Sequence, residues 1–147
     1  MIKTNGGFLV SQIKQIQSRV FDSLLRKYGI EEFNGAQGRI LYVLWQEDNL
    51  PIVELSRRTG LAKTTLTSML DRMEATKFLE RIYDKNDRRQ IRIVLTEKAK
   101  ALSKKYKEVS DLMNKLFYKG FSDTEITDFE KYLVRILNNL TEVNINE

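Results

Sequence analysis

The 147 residues suffice for one domain with a buried core. An apolar share of 41% beside a charged share of 31% excludes a disordered chain. The formal charge is +5, and there is neither Cys nor His, which excludes disulfides, thiol sensing, Cys/His zinc sites, Ser-His-Asp triads and Cys nucleophiles. No apolar run approaches the ~18 residues of a membrane span, and "MIKTNGGFLVSQIKQ" lacks the basic-then-apolar layout of a signal peptide. A cytoplasmic protein without membrane attachment is expected. Gly6-Gly7, the one glycine pair, follows no strand and cradles no phosphate, so neither cofactor nor metal is expected.

Residues 8 to 28 read as a helix, with Phe8, Ile13, Ile16, Val20, Leu24 and Tyr28 at helical spacing and Phe21 and Leu25 widening the stripe. "YGIEEFNG" breaks it, and Asn34 suits the cap of a second helix. The run Ile40 to Trp45 is apolar nearly all round, as in a buried central helix. "QEDNLP" ends that helix. Pro51 fits the first turn of a short third helix, "PIVELSRRTG", with Ile52 and Leu55 inward and Gly60 permitting the turn that follows. A fourth helix spans about Lys63 to Thr76, with Leu66, Met69, Leu70 and Met73 on one face. Strand "FLERIY", a charged loop and strand "IRIVL" come next. Thr96 suits the cap of a long fifth helix through "EKAKALSKKYKEVSDLMNKLF", striped by Leu102, Tyr106, Val109, Met113 and Leu116 and stopped by Gly120. "SDTE" at Ser122 to Glu125 has capping-box spacing and opens a sixth helix, with Ile126, Phe129, Leu133, Ile136, Leu137 and Leu140 inward.

A short helix, a Gly turn and a second helix make a helix-turn-helix, and the hairpin directly after makes it winged. The expected fold is therefore mostly α with a small β-hairpin wing: one domain over residues 1–147 with six helices. Residues 34–98 would form the winged DNA-binding lobe, and 1–30 and 99–147 the dimerisation helices. In such a motif the second helix enters the major groove of double-stranded DNA. "LAKTTLTSMLDR" puts Lys63, Thr64, Thr65, Thr67 and Ser68 at its start and Arg72 one turn on. Their hydroxyls can meet bases or phosphates, Thr methyls can meet thymine methyls, and the free amides of a helix start favour phosphate. The competing reading is that these residues only cap and line an exposed helix.

Residues 52–100 carry the whole net charge of +5, as a nucleic-acid footprint would. Arg88 and Arg89 stand at the hairpin tip, where an arginine can enter the adjacent minor groove; the alternative is a solvated turn. Asp87 is either a turn residue or the group that orients an arginine. Phe8, Leu9 and Val10 at the start, and Leu112, Phe117, Tyr118 and Phe121 beside the stripe of the fifth helix, exceed what a winged lobe needs. A C2 homodimer accounts for them and would set two recognition helices ~34 Å apart; a self-contained monomer core is the alternative.

"PIVELSRRTGLAKTTLTSMLDRMEATKFLER" followed by "DKNDRRQIRIVLTEKAKAL" resembles the MarR (multiple antibiotic resistance regulator) family of transcription factors. Asp87, Arg89, Leu95 and Thr96 match its wing pattern, and the order of six helices around a wing covers essentially the full chain. The resemblance implies a homodimer on a palindromic operator, usually as a repressor, with Arg89 in the minor groove and Asp87 as its structural partner. It also implies release by a small aromatic, anionic or lipophilic effector bound between the dimerisation helices and the DNA-binding lobe. Tyr42, Trp45 and Tyr106 are the aromatic candidates there, against the plainer reading of each as core. The chain departs from the family at Lys77 and Ala99, where Gly is common. A left-handed cap at Lys77 would cost ~1 kcal/mol or more, so a differently built helix end is expected. Without Cys and His, the peroxide and zinc sensing known in relatives is disfavoured. Two other readings stand beside this one. The first is a winged protein-interaction module without sequence-specific DNA binding, against which a Thr/Ser-rich helix face without apolar anchors speaks. The second is an enzyme with a carboxylate or Lys centre, for which nothing gathers two carboxylates and a pocket.

Overall fold

The structure is a computed structural model and describes residues 1–143. Its elements in chain order are α1 (Gly6–Lys27), α2 (Gly35–Gln46), β1 (Leu50–Pro51), α3 (Ile52–Thr59), α4 (Lys63–Ala75), β2 (Leu79–Tyr83), β3 (Ile91–Leu95), α5 (Glu97–Lys100), α6 (Ser103–Phe117) and α7 (Asp123–Thr141). The chain divides into two compact units, Met1–Asp111 and Leu112–Glu147. The last four positions of the segment 99–147 assigned above to dimerisation lie outside the described residues. Among the described residues, no helix is long and apolar enough to cross a membrane.

The first unit is built around α2, whose all-round apolar run buries Ile40, Leu41, Val43 and Leu44. Its start is secured twice. Asn34 Oδ1 accepts from Gln37 N (2.8 Å) while Gln37 Oε1 accepts from Asn34 N (3.2 Å), and Asp22 Oδ1 accepts from Gly35 N (2.7 Å). Gly38 lies under the Tyr106 ring, where a Cβ would come within 2.6 Å of Tyr106 Cε2. Leu55, the α4 residues Leu66, Leu70 and Met73, and Ile93 and Leu95 of β3 belong to the same cluster.

Helix α1 meets the core through Phe21, Leu24 and Leu25, while Phe8, Ile13 and Ile16 are exposed, in keeping with the apolar surplus expected of it. Several expectations are corrected. In the second unit, Ile136, Leu137 and Leu140 of α7 are exposed rather than inward; a helix stripe records which face is apolar, not which neighbour covers it. Phe117, Tyr118, Phe121 and Phe129 pack ring to ring within that unit, so part of the apolar surplus is used internally.

The sheet has three strands in the order β1-β3-β2, not two. Leu50 and Pro51 pair antiparallel with Ile93 and Arg92. Two residues leave no periodic signal, and Pro is tolerated here because β1 is an edge. Pro51 accordingly caps α3 in extended conformation instead of entering its first turn. The long fifth helix is broken at Ala101–Leu102. There Leu102 N donates to Ala99 O (3.2 Å), three residues back, and the Trp45 indole Nε1 donates to the same carbonyl (3.0 Å). That capture comes from a residue far off in sequence, so helix-forming residues at the break do not reveal it.

Lys77 takes the left-handed conformation after all, at φ 66°. Phe78 N reaches back to Met73 O (2.9 Å), closing α4 as a Gly would, and the Thr96 hydroxyl donates to Lys77 O (2.7 Å). Replacing Lys77 by Gly should relieve the strain and stabilise the fold by about 1 kcal/mol. An unchanged or lower urea midpoint in that variant would show the conformation to be free of strain.

Candidate nucleic-acid interface

Helix α4 is sharply two-faced: Leu66, Leu70 and Met73 are buried, while Lys63, Thr64, Thr65, Thr67, Ser68 and Arg72 are all exposed. Its N-cap, Ala62, offers no side-chain acceptor, so the amides of the first turn are left to an outside partner. The Thr67 hydroxyl donates to Lys63 O (2.9 Å), which commits its proton to the helix and leaves a methyl and a lone pair for contact.

The wing tip is organised by two carboxylates. Asp84 Oδ1 accepts from Asn86 N (2.8 Å) and Asp87 N (3.2 Å), folding the loop as an Asx turn. Asp87 Oδ1 accepts from Arg89 N (3.0 Å) and Arg89 Nε (3.1 Å). Asp87 therefore bonds both the backbone of the turn and the side chain of Arg89. Asp87 thus meets the Arg89 guanidinium itself, with Nη2 3.5 Å from Oδ2, while the Arg89 side chain stays 92% exposed, and Arg88 is exposed beside it.

Other basic residues of the middle third prove to be engaged. Arg81 donates to Asp71 (2.7 Å) and Glu74 (3.1 Å) from its guanidinium, and its backbone N to Glu74 Oε2 (3.0 Å), fastening α4 to β2. Arg92 donates to Asp84 (3.1 Å) and twice to Asn49. Arg57 and Arg58 share Glu54, and Arg58 also reaches Glu47. Sequence reasoning missed these organisers. Asp84, heading the polar run "DKND", was a legible turn signal; the partners of Arg81 and Arg92 depend on strand register and were not.

The aromatic candidates separate. Tyr106 is buried, with its ring centroid 5.0 Å from Trp45, 5.6 Å from Phe21 and 5.9 Å from Phe33. Burial pushes its phenol up to about 12. Trp45 is tied to Ala99 O, and Tyr42 is exposed. A hollow of about 390 Å³ opens in this unit, but its walls are Asp22, Arg26, Ile30 to Asn34 and Gln37, none of the three.

The Arg57 and Arg58 guanidinium groups hold the Glu54 carboxyl down at about 2, from an ordinary 4.5, and the Asn86 amide, with Arg92, holds Asp84 below its usual range. A lowered folded-state pKa favours the fold above the unfolded value, and that contribution disappears as pH falls through the folded one. Stability from Glu54 should thus be constant above pH 4.5 and lost between 4.5 and about 2. Urea midpoints across that range should fall less steeply for Glu54→Gln than for the parent chain; equal slopes would dismiss the ion pairs.

Residues 33–91, which contain α2 to the wing, match the MarR family model. The chain is 38% identical over 87 residues to the HTH-type transcriptional regulator TtmR of Methylorubrum extorquens, covering 59% of this chain and 43% of TtmR. It thus spans less than half the length of that relative. It is 32% identical over 116 residues to the uncharacterized HTH-type transcriptional regulator YsmB of Bacillus subtilis, covering 77% of this chain and 75% of YsmB. In fold it is similar to a mutant MarR from E. coli complexed with operator DNA, with a TM-score of 0.79 at 23% identity over 89% of this chain and 92% of that one. These relatives are regulators of transcription and not enzymes, which sets aside a carboxylate or Lys reaction centre. With three strands and a helix-turn-helix in place and most of YsmB aligned, the chain belongs to the MarR family of winged-helix transcriptional regulators.

Proposed function

We propose that this DNA-binding regulator acts as a homodimeric repressor on a palindromic operator. Lys63, Thr64, Thr65, Thr67, Ser68 and Arg72 face the major groove, Arg89 enters the adjacent minor groove, and Arg88 meets backbone phosphate. The observation that carries this reading is the pairing of a polar helix start without a side-chain cap with an exposed arginine tip whose backbone and guanidinium Asp87 orients. Arg81 supports it by fixing the helix to the strand that leads into the wing. A winged module serving protein contacts alone fits less well, because no residue of α4 is among the exposed large apolar side chains.

Dimerisation is supported by uncovered apolar rows on two helices: Phe8, Leu9, Val10, Ile13 and Ile16 on α1, and Val134, Ile136, Leu137 and Leu140 on α7. Apolar rows of that extent mark a partner surface, and a second identical copy is the usual partner. An aromatic or lipophilic effector acting through Tyr42, Trp45 and Tyr106 has to part the packed Trp45 and Tyr106 rings and to free Ala99 O from Trp45. Release by that route therefore disturbs α5, and a screen of aromatic acids should show it as a melting shift together with loss of DNA.

Selection of bound duplex from a random pool should recover an inverted repeat with half-sites one DNA turn apart, ~10 bp. No enriched sequence, or an asymmetric one, would overturn the dimeric operator reading. Arg89→Ala should weaken binding to the selected duplex by ~1–3 kcal/mol, and affinity should fall linearly on a log-log plot against salt as counterions are released. An unchanged Kd for Arg89→Ala would remove that side chain from the groove.

A further inference from the structure

Arg92 was counted above with the basic footprint, yet it makes no free surface charge. Its side chain is 27% exposed and that of Asp84 only 14%. Its fork is filled on three sides: Nη1 donates to Asp84 Oδ2 (3.1 Å), Nε to Asn49 Oδ1 (2.9 Å) and Nη2 to Asn49 O (2.6 Å). Asn49 precedes β1 and is held at φ 58°, a conformation that presents its carbonyl to the guanidinium. Asp84 has one oxygen on Arg92 and the other on the amides of Asn86 and Asp87. Asp87 in turn holds Arg89. A continuous set of bonds therefore runs from the far edge of the sheet, through β3, to the base of the exposed arginine.

We propose that Arg92, clamped between Asn49 and Asp84, is a positioning residue that sets the aim of Arg89 toward the minor groove. This rests on the reading of Arg89 as a groove contact. The chemistry favours an arginine at position 92. Only a planar fork reaches a carboxylate on one side and an amide oxygen and a carbonyl on the other at once, and an ammonium at the end of a lysine stem cannot. Without the clamp, the tip keeps its charge but loses the fixed height that inserts one side chain into a narrow groove. Arg92 would then influence DNA without touching it, and the loss should appear only at base pairs beneath the wing.

The test is a double-mutant cycle by fluorescence anisotropy on the duplex recovered from the random pool. Arg89→Ala is made in the parent chain and in Arg92→Met, with Thr64→Ala in both as a recognition-helix control, and melting is recorded for each. In the parent chain, Arg89→Ala is expected to weaken binding about tenfold. In the Arg92→Met background it should cost about twofold or less, while Thr64→Ala costs the same factor in both. Arg92→Lys should behave as Arg92→Met, and repeat selections with either should lose sequence preference under the wing alone. If Arg89→Ala costs the same factor in both backgrounds, Arg92 does not act through Arg89 and the proposal fails, although the operator reading stands. If Arg89→Ala costs nothing in the parent chain, the groove contact itself is wrong and the proposal falls with it. Should Arg92→Met melt too low to assay, Asp84→Asn opens the other side of the clamp and must give the same non-additivity.

Discussion

Strand β3 is hydrogen-bonded on both edges, to β1 at Leu50 and Pro51 and to β2 along its whole length, and the geometry of the lobe follows from that double pairing. A slip of one residue would turn the buried Ile93 and Leu95 to the face now held by Arg92 and Val94. Polar bonds resist the slip at both ends. Leu95 N donates to Asp48 Oδ1 (2.9 Å) and Thr96 N to Phe78 O (3.1 Å) at one end, while Arg92 spans Asn49 and Asp84 toward the other. Once the register is fixed, so are the height of the wing tip and the point at which the chain leaves the sheet for α5.

The same register decides which charges face outward. The net charge of +5 concentrated in residues 52–100 suggests a broad basic surface, but the structure narrows it. Arg57, Arg58, Arg81 and Arg92 are paired with Glu54, Glu47, Asp71, Glu74 and Asp84. Among the described residues, the cations of 52–100 that form no ion pair are Lys63, Arg72, Lys77, Lys85, Arg88 and Lys98. Four of them, Lys63, Arg72, Lys85 and Arg88, lie on α4 and the loop between β2 and β3. Exposed pairs such as Arg57–Glu54 add little to stability. Their larger effect is on direction: the paired arginines contribute little field outward, while Lys63, Arg72, Lys85 and Arg88 keep theirs.

Much of this was legible in the sequence where one residue type answers to one local constraint. Asn34 caps α2 as read, with Gln37 completing a box that was not read, and Ser122 with Glu125 forms the capping box that its spacing announces. Thr96 caps its helix by accepting from Ala99 N, and the two-faced pattern of α4 is as read. What escaped depends on partners distant in sequence. β1 exists because β3 offers it an edge. At the break after α5, the Ala99 carbonyl accepts from Trp45, 54 residues away, and from Leu102 N three residues on instead of from Ser103 N. The packing of Tyr106 on Gly38 likewise shows why an aromatic on a helix stripe does not announce whether it lines a cavity or fills one.

The two non-glycine residues with positive φ, Asn49 and Lys77, make the dependence on β3 explicit. Each stands one residue before a place where the chain enters the sheet region, Asn49 before Leu50 of β1 and Lys77 before Phe78 and β2. Each has its carbonyl taken by a side chain from β3 or its end: Asn49 O by Arg92 and Lys77 O by Thr96. Arg92 and Thr96 are four residues apart, near opposite ends of one strand. Strained backbone persists only where its surroundings over-determine it, and here one strand supplies both restraints. Asn tolerates the left-handed region better than Lys does, so the intrinsic strain is greater at the end of the recognition helix than at the edge of the wing. The Thr96 hydroxyl, which also reaches Phe78 O and accepts from Ala99 N, is accordingly the more heavily used of the two restraints. It joins the end of α4, the last strand of the sheet and the start of α5 at a single oxygen.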